Sequence, residues 1–170
     1  GWTTDNNDTP ILNLTFSNEI GNKHFYANYT PNIYNIILDV NGGDELENNI
    51  IEVEYDSYFN LTNYTPTKKG YTFLGWYNNS TNFTQGTWKY DKDIDLTAKW
   101  QINNYTVTYD LYNGITSNPN TYTVEDEINL NNPTKEGYTF IGWTSDQNDI
   151  PTTNLTFSNE IGNKHFYANY

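Results

Sequence analysis

Only two histidines occur in the 170-residue chain, His24 and His165, and both sit in the same phrase, "NKHFYANY". A histidine acting as a general base needs a nucleophile or an orienting carboxylate set beside it. No such partner recurs with the pair, and no serine or threonine has the rest of a triad. Each histidine therefore reads as a strand surface residue. Asp91, Asp93 and Asp95 in "DKDID" are better placed for chemistry: alternate positions on a strand face one way, which is a possible calcium site. The stretch lacks the glycine and distal glutamate of an EF-hand, and the matching position elsewhere in the chain carries "NEIGN". A solvated acidic lead-in is the plainer reading. The oxygen-rich loops "DNND" (5–8) and "DQND" (146–149) are read as turns in the same way.

Three aromatics fall off the expected core alternation, Tyr77, Trp88 and Tyr112, and are candidates for stacking on sugars. Lys23 and Lys164 are available for lysine–asparagine crosslinks, but no carboxylate is placed with them to assist. Asn-x-Ser/Thr triplets begin at Asn13, Asn28, Asn60, Asn104 and Asn154, as expected by chance in a chain where about one residue in six is asparagine. Paired carboxylates for glycoside hydrolysis would need a cleft that the sequence does not identify. There is no cysteine, which removes disulfides, thiolate metal sites and cysteine nucleophiles. We assign no catalytic residue, no metal and no cofactor.

Composition narrows the classes further. The net charge is −13 and the isoelectric point near 4.2, with no cluster of Lys or Arg. Such a surface repels phosphate backbones and anionic headgroups, so neither nucleic acid nor electrostatic membrane attachment is expected. No apolar run approaches the roughly 18 residues of a membrane span. Mean hydropathy is low, −0.81, but aromatics make up 17% of the chain, enough to build a core without aliphatic abundance. The absence of methionine points to an internal segment of a longer protein.

The elements that would position these groups come in repeats. Residues 1–29 and 142–170 differ at only five positions, and a divergent copy lies between them. The spacing predicts a unit of about 70 residues: the C-terminal half of one unit (1–30), a full unit (31–101) and a second full unit (102–170). Within a unit, "NNYTVTYDLYNG" (103–114) alternates, with Tyr105, Val107, Tyr109 and Leu111 on one face. The first full unit matches with Tyr34, Ile36, Leu38 and Val40. Both read as half-buried strands ended by Asn-Gly turns. A second strand follows near 50–55 and 120–125. The segments 55–61 and 124–130 are candidates for a short helical turn with Asp at its start. Next come "PTKKGYTFLGW" and "PTKEGYTFIGW", whose Gly70 and Gly137 mark tight turns and whose Gly75 and Gly142 permit a bulge or a close backbone approach. The expected core is Tyr71, Phe73, Trp76 and Trp100 in the first full unit, and Tyr138, Phe140, Trp143, Phe166 and Tyr170 in the second.

The box G-Y-T-F-x-G-W, the upstream strand "VTYD" and the closing strand "LTAKW" together resemble the Listeria–Bacteroides repeat, also called the internalin B-repeat. The resemblance covers both full units. It implies a mostly β, or α+β, architecture: tandem β-grasp-like units, each a curled sheet with at most a short helix. It also implies multi-copy arrays in bacterial surface proteins, outside the cell and attached to the wall or secreted. No catalytic residues are known for that family.

In a β-grasp sheet the first and last strands are parallel neighbours, so a unit's entry and exit lie at opposite ends. The connections "TPNI" (30–33) and "QIN" (101–103) are short and not Gly/Ser-rich. The expectation is a non-catalytic, semi-rigid spacer whose partners are its own adjacent units. The alternative is an adhesive module that touches a host protein or a glycan through exposed aromatics, with avidity from repetition.

Overall fold

The computed structural model describes residues 1–4, 9–146 and 149–170, and every regular element among them is a β-strand. The half repeat holds β1 (Trp2–Thr3) and β2 (Tyr26–Ala27). The first full repeat holds β3 (Ile33–Asp39), β4 (Ile50–Glu54), β5 (Tyr58–Asn60), β6 (Tyr71–Asn78), β7 (Thr81–Phe83), β8 (Gln85–Thr87) and β9 (Ile94–Ile102). The second holds β10 (Tyr105–Asp110), β11 (Thr121–Tyr122), β12 (Glu127–Asn129), β13 (Gly142–Thr144), β14 (Thr156–Ser158) and β15 (Lys164–Asn169).

Each full repeat makes one main sheet and one two-stranded ribbon. In the first, the sheet order is β4-β3-β9-β6-β7 and the ribbon is β5-β8; in the second, the order is β11-β10-β15-β13 and the ribbon is β12-β14. The first and last sheet strands of each repeat are parallel neighbours, as the family resemblance implies. Ile36 stands opposite Ile94 and Leu38 opposite Leu96, while Val107 stands opposite Lys164 and Tyr109 opposite Phe166. All other strand pairs are antiparallel.

Alternation builds two separate cores. One face of the first sheet buries Ile36, Leu38, Val53, Trp76, Phe83, Leu96 and Ala98, and the ribbon and the residues that follow its strands close over it with Phe59, Leu61 and Trp88. The second core gathers Val107, Tyr122, Leu130, Trp143, Phe166 and Ala168, with Phe157 and Ile128 packed against it from the ribbon. No helix appears among the described residues. The segments read as possible helical turns instead turn sharply and enter β5 and β12. Asp56 has a φ of 70°, which a right-handed helix forbids. In the second repeat Thr123 donates from both its N–H and its hydroxyl to the Asp126 carboxylate, at 2.7 and 2.9 Å, which closes a turn rather than starting a helix.

The two glycines before the tryptophans serve different ends. At Gly75 (φ 128°) the pairing of β6 with β9 shifts register by one residue, a bulge that returns Trp76 to the core face. At Gly142 the chain from Pro151 to Thr152 comes so close that a Cβ would lie 2.5 Å from the Thr152 nitrogen.

The half repeat keeps the local pairing of its near-identical counterpart. Trp2 stands opposite Ala27 as Trp143 stands opposite Ala168. Its apolar face is open, however: Trp2 is 44% exposed and Phe16 56%, whereas Trp143 is 1% exposed. β10, β11 and β12 supply the cover in the second full repeat, and residues 1–29 contain no equivalent of them.

Candidate functional site at the repeat junction

Between β9 and β10 lie only Asn103 and Asn104. The pairing of β6 with β9 runs to the last residue of β9, where Tyr71 stands opposite Ile102. One residue further, the Asn103 N–H donates to the Gly70 carbonyl at 2.9 Å, and the Thr72 hydroxyl donates to the Asn103 side-chain oxygen at 2.7 Å. The chain leaving the first repeat is thus held to the start of β6 until it enters the second.

The second repeat touches back at the same place. Gly70 has a φ of 78° in the turn closed by the Tyr71 N–H and the Lys68 carbonyl, 3.0 Å apart. Its open face meets Val124: a Cβ on Gly70 would lie 2.4 Å from the Val124 Cβ. Glycine is required here twice over, for the left-handed backbone and for the approach of the neighbouring repeat. Beside it the Tyr71 hydroxyl donates to the Glu125 carboxylate, and this bond to an anion pushes the phenol pKa up. The Lys68 ammonium sits 4.6 Å from the centre of the Tyr71 ring, a cation over a π face.

The second repeat carries the same cassette, with a different environment. Gly137 has a φ of 76°, and Lys135 lies 4.2 Å from the Tyr138 ring centre. Nothing stands within 4 Å of the position a Gly137 Cβ would take, and Tyr138 is 62% exposed. Tyr138, expected in the core, lies outside because its strand is short: β13 begins only at Gly142, leaving residues 137–141 at the sheet margin. The other expected core residues are buried or half-buried. Trp76, Trp143 and Phe166 are buried; Tyr71, Phe73, Trp100, Phe140 and Tyr170 are half-buried.

The acidic triplet is dispersed. Asp91, Asp93 and Asp95 are all exposed, and the Asp93 carboxylate accepts from the Asn35 backbone N–H at 2.8 Å and from its amide at 3.3 Å. Among the described residues, no group of three or more His, Asp or Glu is arranged to hold a metal ion. The loop 5–8 and residues 147–148 lie outside the described residues. Asp149 accepts from the Ser145 hydroxyl at 2.9 Å and the Asp146 N–H at 3.0 Å, as a turn would have it.

Of the stacking candidates, Trp88 is fully buried, edge-on to Phe59 and Tyr90. Tyr77 has the Lys99 ammonium 4.0 Å above its ring. Tyr112 is 54% exposed, at a turn residue with a φ of 46°. Contrary to the expectation that no carboxylate accompanies them, Lys23 and Lys164 each pair with a glutamate four residues earlier, Glu19 and Glu160, because the i, i+4 spacing in "NEIGNK" brings them together. The expectation that no threonine has triad partners does not hold at His165: the Thr108 hydroxyl oxygen lies 2.7 Å from its Nδ1 and the Asp110 carboxylate 3.5 Å from its Nε2. The junction contacts themselves were not anticipated. The sequence marks Gly70 as a turn, but nothing in it pairs that turn with Val124 and Glu125, more than 50 residues on.

The profile of the Listeria–Bacteroides repeat domain matches residues 34–99 and 105–169. Internalin H of Listeria monocytogenes is 44% identical over 84 residues, covering 46% of this chain and 15% of that protein. A protein of Evansella cellulosilytica described as a membrane protein is 31% identical over 155 residues, 86% of this chain and 22% of its own length. A second Evansella protein, described as a Gly-rich membrane protein, is 31% identical over 133 residues, 72% of this chain and 14% of its own length. The chain thus spans about a fifth or less of these relatives, and no solved structure matches it significantly. On the two profile matches, in tandem and covering most of its length, the chain belongs to the Listeria–Bacteroides repeat family.

Proposed function

We propose that the repeats form a semi-rigid spacer in an extracellular surface protein, holding another region of that protein away from the cell. The observation that carries this is the junction. Two residues link β9 to β10, and the contacts of Asn103 with Gly70, Gly70 with Val124 and Tyr71 with Glu125 oppose bending there. A linker this short and this well bonded does not behave as a coil. The parallel first and last strands put entry and exit at opposite ends of each repeat, so successive repeats extend rather than fold back. The membrane and internalin descriptions of the relatives support a surface location. No helix among the described residues is long and apolar enough to cross a membrane.

Small-angle scattering tests the proposal. A nine-residue strand spans about 30 Å, so each full repeat should add roughly 30–40 Å to the largest dimension. A compact particle with the repeats side by side would refute it. Adhesion is the second reading, and Tyr112, the most exposed of the three stacking candidates, is what favours it. Glycan binding that is lost in Tyr112→Ala would move the assignment to adhesion.

A further inference from the structure

We propose that each full repeat is a shear clamp, built to carry tension along the chain. This goes beyond spacing, because a spacer needs only length, and it does not depend on the stiffness of the junction.

Force on the chain enters the second repeat at the start of β10 and leaves at the end of β15. These strands are adjacent and parallel, with Val107 to Asp110 opposite Lys164 to Tyr167. Pulled from those ends, they must slide past one another, and the bonds of the ladder are loaded together. Antiparallel neighbours pulled from their open end unzip instead, rung by rung. The first repeat has the same geometry in β3 and β9, with Ile36 to Asp39 opposite Ile94 to Thr97.

Side chains lengthen both ladders. Asp93, one residue before β9, accepts from the Asn35 backbone N–H at 2.8 Å; Asn163, one residue before β15, accepts from the Thr106 backbone N–H at 3.0 Å. The two repeats differ in sequence here, yet each supplies a side-chain acceptor at the same place. In the first repeat two further bonds extend the other end: the Asn41 amide to the Ala98 carbonyl and the Trp100 indole to the Val40 carbonyl, both 3.1 Å. Tyr170 occupies the position of Trp100 in the second repeat, and the second ladder lacks that indole bond. The second repeat instead bridges its strands with Thr108, whose hydroxyl donates to the Lys164 carbonyl at 3.3 Å and lies 2.7 Å from His165 Nδ1. Beneath both ladders the side chains are buried (Ile36, Leu96 and Ala98; Val107, Phe166 and Ala168), which keeps water from replacing a strained bond.

The test is single-molecule stretching of the full chain. With no native cysteine, handles can be placed anywhere as single introduced cysteines. Pulling from the two termini should give two unfolding events, each releasing roughly 220–250 Å of extended chain less the folded length of the repeat. Handles at Asn32→Cys and Glu54→Cys instead load β3 and β4 from their open end. That geometry should unfold the first repeat at about half the force or less at equal loading rate, because fewer bonds bear load at once. Asp93→Ala should lower only one of the two terminal events, and Asn163→Ala only the other. Equal forces in the two pulling geometries would overturn the proposal, as would terminal unfolding with no resolvable force peak. An extended particle in scattering that gave either of those results would leave the spacer standing without the clamp.

Discussion

Val124 of the second full repeat lies against the bare α-carbon of Gly70 in the first, so close that a methyl group on Gly70 would stand 2.4 Å from the Val124 Cβ. Gly137, at the same position one repeat later and with nearly the same φ, faces nothing within 4 Å. Within residues 1–170, Gly137 is thus the comparison for the junction.

Alanine at either glycine incurs the same penalty for a left-handed backbone, about 1–2 kcal/mol. Gly70→Ala should cost about 1–3 kcal/mol more than Gly137→Ala, because only the first forces two repeats apart. Urea unfolding of the two variants measures this. Val124→Gly should remove the excess. Equal costs for the two alanines would mean that the Gly70 contact is not made in solution.

The open half repeat gives a second comparison. Trp143 is 1% exposed and Trp2, its counterpart, 44%. Trp143→Ala should destabilise the second repeat by about 3–5 kcal/mol. Within residues 1–170, Trp2→Ala should cost about 1 kcal/mol or less, since Trp2 is already largely in solvent there. A loss below about 1 kcal/mol for Trp143→Ala would place that indole in solvent.

Alkali should act on the two full repeats unequally. Burial pushes the Tyr109 pKa from its ordinary 10.0 up to about 12, and burial also raises Tyr122 and Tyr170. These positions hold Leu38, Val53 and Trp100 in the first repeat, and none of those titrates. Above pH 10 an unfolded tyrosine releases a proton that folded Tyr109 retains, so unfolding gains from rising pH. This contribution to stability is complete below about pH 10 and is lost between about 10 and 12. The urea midpoint of the second repeat should fall over that window while that of the first changes less. Tyr109→Phe should flatten the fall, and should cost about 1 kcal/mol at neutral pH through loss of the hydrogen bond to the Pro119 carbonyl.

Gly142 should tolerate no side chain. A Cβ there would lie 2.5 Å from the Thr152 nitrogen and 2.7 Å from the Pro151 carbonyl carbon, and backbone cannot rotate away as a flexible side chain can. Gly142→Ala should therefore destabilise the second repeat by more than about 2 kcal/mol. Gly75→Ala would meet mainly the Asn82 amide, which can move, so it should cost less. Thermal unfolding of the two variants decides the order.

Much of this fold could be read from residue order. Period-two alternation marks β3 and β10, and Gly75 and Gly142 each serve one of the two uses expected of them. The repeat itself pointed to the family. What escaped depends on contacts between distant segments. The runs 55–61 and 124–130 are too short for periodicity to separate a helical turn from a tight turn and strand, and ribbon pairing with β8 and β14 decides it. Trp88 breaks the alternation yet is buried, because it follows a ribbon strand whose core faces the main sheet. Tyr71 and Tyr138 occur in identical boxes, but one meets Glu125 and the other solvent. That difference arises from what lies beyond each box, not within it.

Paired spin labels test the clamped junction most directly. One label goes on Glu52→Cys in β4 and the other on Glu127→Cys in β12, both exposed. The distance distribution should be single and about as narrow as that from a pair within one repeat, Glu52→Cys with Thr97→Cys, and Gly70→Ala should broaden it. A wide distribution in the unaltered junction, unchanged by Gly70→Ala, would mean that the repeats swing freely and that the rod does not exist.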